Sequence, residues 1–228
     1  MLFLKVSQGD NLNSIQEHVA LALALVKRKA IFFPVPTITK KFIAALTETR
    51  PEEINALDDE QFESDYLTKI KAGFHVTYLH HSRSQLAFWY DQPERARQDA
   101  ALVQTQITLF PKFSIYIDHL IQYGLLLLVQ SAEQNPPLSA SSKQTKQADL
   151  DFCQSKLGDL AELYPPNFEH KYLLFQAEQG RIQSKHQECE MGEVSALYER
   201  AIDSAEQHGF LQYQALAHEL YAGFWLQE

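Results

Sequence analysis

From residue 165 onward, apolar side chains return every three or four positions, and each run is closed by glycine or a polar cluster. Three segments carry the pattern: NFEHKYLLFQAEQGRI (167–182), MGEVSALYERAIDSAEQHG (191–209) and FLQYQALAHELYAGFWLQE (210–228). Each is long enough for one helix of an antiparallel pair. A stripe at this spacing is buried only when another helix covers it, so the last third of the chain predicts stacked helical hairpins. Phe168 and Phe210 open alternate helices 42 residues apart. A strict tetratricopeptide (TPR) repeat takes about 34, so the array is read as irregular and TPR-like.

Nearly half of the 228 residues, 45%, are apolar, enough to fill a core. Ten tyrosines and fourteen phenylalanines are expected mainly between helices. The formal charge of −9 argues against binding a nucleic-acid backbone. The strongest basic cluster, Lys27, Arg28 and Lys29, follows the apolar run VALALALV. It reads as the last turn of a helix, where cations meet the negative end of the dipole. Cys153 and Cys189 have no CxxC partner, so neither a thiolate metal set nor a disulfide framework is expected, and a reducing compartment fits. The start of the chain lacks the long apolar core of a signal peptide, and the runs at 19–26 and 125–129 are too short to span a bilayer. A cytoplasmic protein without a membrane partner is the expectation.

Residues 11–30 predict a helix capped by Asn13 or Ser14, with Ile15, Val19, Ala22 and Val26 on its face. Pro34 and Pro36 interrupt, and Thr37 or Thr39 restarts a short helix. Pro51, Glu52 and Glu53 read as the first turn of its successor. Residues 60–90 form one long helix, or two with a break near Gly73. Asp91 or Gln92 caps the next, Pro93 opens it, and Ala96, Ala100, Val103, Ile107 and Phe110 make one clean face. Helix resumes after Pro111 and runs through Gly124 and the LLLLV stretch, buried on most sides. In isolation, Gly124 costs that helix about 1 kcal/mol relative to alanine.

EQNPPLSASSKQTKQ has linker composition, with no periodic apolar face. The chain is accordingly divided into N-terminal helical hairpins (1–132), a polar linker or long loop (133–146) and C-terminal TPR-like hairpins (147–228). In the last part a helix resumes near Ala148, Pro165 and Pro166 stop it, and Asn167 caps the next. Phe168, Tyr172, Phe175 and Ile182 mark that helix, and Val194, Leu197, Ala201 and Ala205 the following one. Gly209 ends it through a left-handed residue, and Leu216, Leu220 and Phe224 line the last.

Chemistry-bearing motifs are missing. There is no GxxxxGK[ST] phosphate loop, no kinase HRD or DFG set and no GxSxG elbow. His80 and His81 are neighbours, pointing about 100° apart on a helix, and His75 does not complete a ligand set. His218-Glu219 lacks the second histidine of HExxH. Asp58, Asp59 and Glu60 read as a solvated loop or helix start. Phe88, Trp89 and Tyr90 cannot share one face, so at least one is exposed. No catalytic, cofactor-binding or metal-binding residue is assigned, and the chain by itself is expected not to be an enzyme.

The helical segments resemble the TPR-like helical region of large multidomain bacterial signalling kinases. Asn167, Phe168, His170, Lys171 and Tyr172 are close to that family's NFxHKY pattern. Tyr198, Glu199, Arg200, Ala201 and Ile202 match its YxRAI-type helix, and Ala215, Ala217, Glu219 and Leu220 its EALAxELAA-like helix. Upstream, HSRSQLAFWYDQPERARQDA resembles a hairpin of the family, with DQP in place of a glycine-containing turn. The resemblance covers residues 60–228. It implies a helical connector, in proteins where serine/threonine-kinase-like and AAA-like ATPase modules precede that region and GAF and histidine-kinase domains follow it. The family's helical region continues past the equivalent of Trp225, so the chain is expected to be a fragment.

The leading functional reading is a non-catalytic scaffold or protein-interaction module that receives a protein partner or a neighbouring ATPase or kinase module. A ligand-sensing helical domain with an aromatic-lined pocket is the second. An enzyme with an all-helical active site is the third.

Overall fold

The computed structural model describes residues 11–29, 34–47, 57–58, 73–132, 140–184 and 190–226. Among them are nine α-helices and no strand. The helices are α1 (Leu12–Lys29), α2 (Val35–Thr47), α3 (Phe74–Trp89), α4 (Pro93–Gln104), α5 (Ser114–Ala132), α6 (Ala140–Leu163), α7 (Pro165–Ser184), α8 (Met191–Gln207) and α9 (Leu211–Leu226). The chain divides into two compact units, Met1–His119 and Leu120–Glu228, with the boundary inside α5.

In the first unit α1 packs on α2, α2 on α3 and α3 on α4. Asn11 caps α1, its Oδ1 accepting from the Asn13 N–H at 2.9 Å, two residues before the expected cap. Ile15 and Val19 are buried as the α1 stripe predicts. α2 begins at Val35, ahead of the expected restart at Thr37 or Thr39. Pro36 sits in its first turn, where a missing N–H breaks no intrahelical bond. Thr39 instead lies in the core, its hydroxyl donating to the Val35 carbonyl at 2.9 Å and meeting the Tyr78 hydroxyl at 3.0 Å.

Gly73, at φ 116°, immediately precedes α3, so a helix does start at the expected break. Phe62, Tyr66 and Ile70, like Pro51, Glu52 and Glu53, lie outside the described residues. α3 ends in a Schellman turn: Gln92 N–H donates to Ala87 O at 2.8 Å and Asp91 N–H to Phe88 O at 3.3 Å. Asp91 takes the left-handed position, φ 55°, that glycine ordinarily fills. Gln92 precedes the helix and Pro93 is its first residue, but the glutamine side chain makes no cap. Ala96, Ala100 and Val103 are buried on α3, and a 3₁₀ turn, Ile107–Leu109, carries Ile107 into the same core.

The second unit contains the end of α5 and helices α6 to α9. Leu125–Leu128 is helical and buried, as expected. α6 begins at Ala140, eight residues before Ala148, so residues 140–146 extend a helix where a linker was expected. Leu150, Cys153, Leu157 and Ala161 form its buried stripe, from which polar but helix-competent residues propagate outward. Residues 133–139 of that segment lie outside the described residues. Pro165 and Pro166 open α7 rather than separating it from its cap. Asn167 stands inside the first turn, its N–H on Tyr164 O at 3.1 Å.

α7 is the centre of this unit, in contact with α6, α8 and α9. Covered from three sides, it buries Leu173, Leu174, Phe175 and Ala177, while Phe168, Tyr172 and Ile182 are only half-buried. A single stripe describes a helix with one neighbour and fails here for that reason. α8 buries Val194, Tyr198, Ala201, Ile202 and Ala205. Gly209, φ 77°, closes it in a second Schellman turn, with Phe210 N–H on Ala205 O at 2.9 Å and Gly209 N–H on Glu206 O at 3.2 Å. On α9, Leu216, Ala217 and Phe224 are buried, and Leu220 and Tyr221 half-buried.

Candidate interaction surface

The polar residues singled out in the sequence are mostly held by neighbours. His80 Nδ1 is 2.7 Å from Asp99 Oδ1, joining α3 to α4. His81 is buried against the His119 ring, centroids 6.3 Å apart, and its Nδ1 has no hydrogen-bond partner. Burial lowers the His81 pKa to about 4, against the opposing pull of Asp118. Burial, then the neighbouring His81, holds His119 well below the ordinary histidine value. Desolvation also lowers His75. Both rings of the His81–His119 pair are therefore neutral at pH 7.

Asp58 was expected in a solvated run but is paired with Arg95, and with Arg83 Nε at 3.2 Å. Arg83 also donates to the Leu57 carbonyl, through Nη2 at 2.6 Å, which fastens 57–58 to α3. Asp59, Glu60 and Cys189 lie outside the described residues. Cys153 is buried, and burial followed by Asp149 pushes its thiol up to about 12. His218 and Glu219 are exposed. Of the aromatic trio only Trp89 is exposed; the Tyr90 hydroxyl donates to Ala45 O at 2.5 Å. Among the described residues no group of three His, Cys, Asp or Glu side chains is arranged to hold a metal, and no helix is long and apolar enough to cross a membrane.

Two buried polar clusters in the second unit carry no signal in helical periodicity. Glu178, 1% exposed, accepts from Arg181 through Nε at 3.0 Å and Nη2 at 2.8 Å, and from the Tyr198 hydroxyl. Burial works to lower the Arg181 pKa, but bonding to Glu178 outweighs it and the net shift is upward. Burial and then the Glu178 charge raise Tyr198. The second cluster is built from the HKY stretch. Lys171 Nζ lies 3.7 Å from the Tyr213 ring centroid and 4.9 Å from that of Phe210, a cation–π box. His170 stacks on Phe210 at 4.3 Å, and its Nε2 accepts from Lys171 at 3.3 Å. Burial, then Lys171 and then His208, lowers the His170 pKa to about 2. Its Nδ1 is buried without a hydrogen-bond partner. Both clusters bind α7 to the helices that follow it. Lys171 itself fills the aromatic box.

Open concave surface occurs in the first unit, between α1 and α2. A cleft of about 570 Å³ is lined by Gln16, Val19, Ala20 and Leu23 of α1 and Lys40, Ile43, Ala44 and Thr47 of α2. Val19 and Ile43, nearly inaccessible, form its floor. Ala20 and Ala44 are the small residues of its walls, which keeps the cleft open. The Thr47 hydroxyl is satisfied within α2, donating to Ile43 O at 3.0 Å. Lys27 lies one turn beyond Leu23 on the same side of α1, and the last turn adds Arg28 and Lys29. The sequence singled out those three cations, but not the cleft they border. Across the turn of the helix, Leu21 and Leu25 are exposed at 70% and 57%, so α1 presents apolar surface on both sides of its buried stripe.

No protein-family model, curated protein or solved structure matches the chain.

Proposed function

We propose that this chain is a non-catalytic helical scaffold or protein-interaction module of a bacterial signal-transduction kinase or ATPase, acting in the cytoplasm. The observation that carries the reading is the α1–α2 cleft, an open and mainly apolar channel in which Val19, Ala20, Leu23, Ile43 and Ala44 stand beside Gln16, Lys40 and an internally bonded Thr47. Such a surface binds through shape and buried area, as helix-in-groove recognition does. Its described lining residues are mainly small and aliphatic, which suits the side chains of a protein partner. The all-helical architecture, with hairpin joins at Asp91–Gln92 and Gly209, is consistent with an irregular TPR-like array. The signalling-kinase context rests on the NFEHKY and YERAI segments. In this chain those segments supply packing groups: His170 and Lys171 meet Phe210 and Tyr213, and Tyr198 meets Glu178.

The test pairs the chain with an Ala44→Trp variant, in which the indole fills the cleft. Both are panned against a displayed library of helical peptides, with circular dichroism confirming that the variant folds. Peptides retained by the parent and lost by the variant support the reading; equal retention by both places binding elsewhere and refutes it. Turnover of ATP with Mg²⁺ is measured on the same preparations. Steady turnover that survives repurification and is lost on denaturation overturns the non-catalytic assignment.

A further inference from the structure

We infer that the α1–α2 cleft receives an acidic amphipathic helix, about two turns of which lie in the channel. The inference rests on the cleft being a binding surface, and adds the chemistry of what fills it.

Length is the first argument. Gln16 and Leu23 bound the lining of α1, Lys40 and Thr47 that of α2. At 1.5 Å per residue each wall runs about 10 Å. A guest helix spreads apolar side chains at positions i, i+3 or i+4, and i+7 over the same distance. The floor offers Val19 and Ile43, with Ala20 and Ala44 leaving space beside them.

Charge is the second argument. Lys40 lines the cleft, Lys27 stands one turn beyond Leu23 on the same side of α1, and Arg28 and Lys29 complete that last turn. Glu17, the one acid among the described residues of α1 and α2, stands about 60° around α1 from Ala20 and is outnumbered by Lys27 and Lys40. The whole chain, by contrast, carries −9. A basic rim attracts acidic surface, and an acidic helix offers it as a ridge that the channel between two helices admits. The same cations beside exposed Leu21 and Leu25 could serve an anionic bilayer. A channel sunk between two helices, however, fits a ridge of side chains better than a flat surface.

The probe is a fluorescein-labelled synthetic helix of about four turns, with leucine at i, i+3, i+4 and i+7 and glutamate elsewhere. A second peptide keeps the leucines and replaces glutamate by lysine. Binding is read by anisotropy with the full chain, its Lys27→Glu/Lys40→Glu variant and its Ala44→Trp variant. A surface control, Lys156→Glu, changes a lysine of α6. The acidic peptide should bind the chain at least about tenfold more tightly than the basic one, a difference of about 1.4 kcal/mol. That preference should shrink toward about 0.5 M salt, reverse in the double lysine variant and survive in Lys156→Glu. Ala44→Trp should abolish binding of both peptides.

Equal binding of the two peptides, still lost in Ala44→Trp, overturns the acidic helix and leaves the cleft as a binding surface. Binding of neither peptide, with sedimentation on phosphatidylserine-containing vesicles, overturns it in favour of a lipid surface. Binding of neither peptide nor vesicle overturns both this inference and the reading of the cleft on which it rests.

Discussion

Replacing Gly124 by alanine separates helix propensity from packing, because the two predict opposite signs. A glycine inside α5 is worth about 1 kcal/mol less than alanine as a helix former, so propensity alone predicts that Gly124→Ala stabilises. The structure places Phe175 of α7 against this glycine. A Cβ built at position 124 falls 2.5 Å from Phe175 Cε2 and 2.9 Å from Cδ2, with Cys153 Cβ 3.5 Å away. Ordinary carbon contacts lie at about 3.5–4.0 Å, so the ring must retreat by about 1 Å. Phe175 is fully buried, so such a retreat disturbs its neighbours. Overpacking of this kind costs about 1–3 kcal/mol, and the depth of the overlap puts it near 3. Subtracting the propensity gain leaves a net loss of about 2 kcal/mol. At about 2–4 °C per kcal/mol for a chain of this size, Tm should fall by about 6 °C. Urea unfolding followed by circular dichroism gives the free energy independently. Phe175→Leu trims the ring, so in that background Gly124→Ala should cost much less, giving a coupling above about 0.5 kcal/mol. A Gly124→Ala protein as stable as the parent, or more so, with no coupling to position 175, would refute the close approach of α5 and α7.

Asp91→Gly should stabilise by about 1 kcal/mol by relieving the left-handed strain at φ 55°, read as a rise in urea midpoint; an unchanged or lower midpoint counts against the Schellman assignment. Glu178→Ala removes the buried acceptor shared by Arg181 and Tyr198 and should cost about 3–5 kcal/mol; a loss under about 1 kcal/mol would show that the network is solvated. Acid should destabilise the fold. His81 titrates near 4 when folded against 6.5 in its ordinary state. Between those values the unfolded chain binds more protons, so stability falls as pH drops through 6.5 toward 4, by about 3 kcal/mol from this group. His81→Phe should flatten that slope in urea titrations across the interval, and an identical slope would reject the buried neutral imidazole.

Short-range signals decided most of the helices. Gly73, Pro93 and Gly209 act on the backbone within a residue or two of themselves, and each stands at a helix end as the sequence requires. Spacing alone picks out Ala96, Ala100 and Val103 of α4 and Val194, Ala201 and Ala205 of α8, whereas Leu197 is half-buried and Tyr198 and Ile202 are buried because α8 packs on both α7 and α9. Starts were less legible where two signals compete within a turn. Proline both ends one helix and opens the next, and at Val35 and Pro165 the opening role prevailed. α6 reaches Ala140 because a polar sequence can extend a helix that a buried stripe already anchors.

Tertiary structure alone decided which polar residues are core residues and where a surface stays open. Lys171, His170, Glu178 and Arg181 occur in a sequence that reads as an ordinary helix surface. Their burial is set by Phe210, Tyr213 and Tyr198, which arrive from α8, α9 and the turn between them. Asp91 shows the same limit at a turn: local preference names glycine for its conformation, and the closing of α3 onto α4 imposes it on aspartate. The α1–α2 cleft is likewise invisible in either helix alone. Ala20 and Ala44 are unremarkable in their own helices and line a channel only where α1 and α2 come together beside Val19 and Ile43. Periodicity records which side of a helix is apolar. How many neighbours cover that side, and with what side chains, is fixed by contacts between residues far apart in the chain.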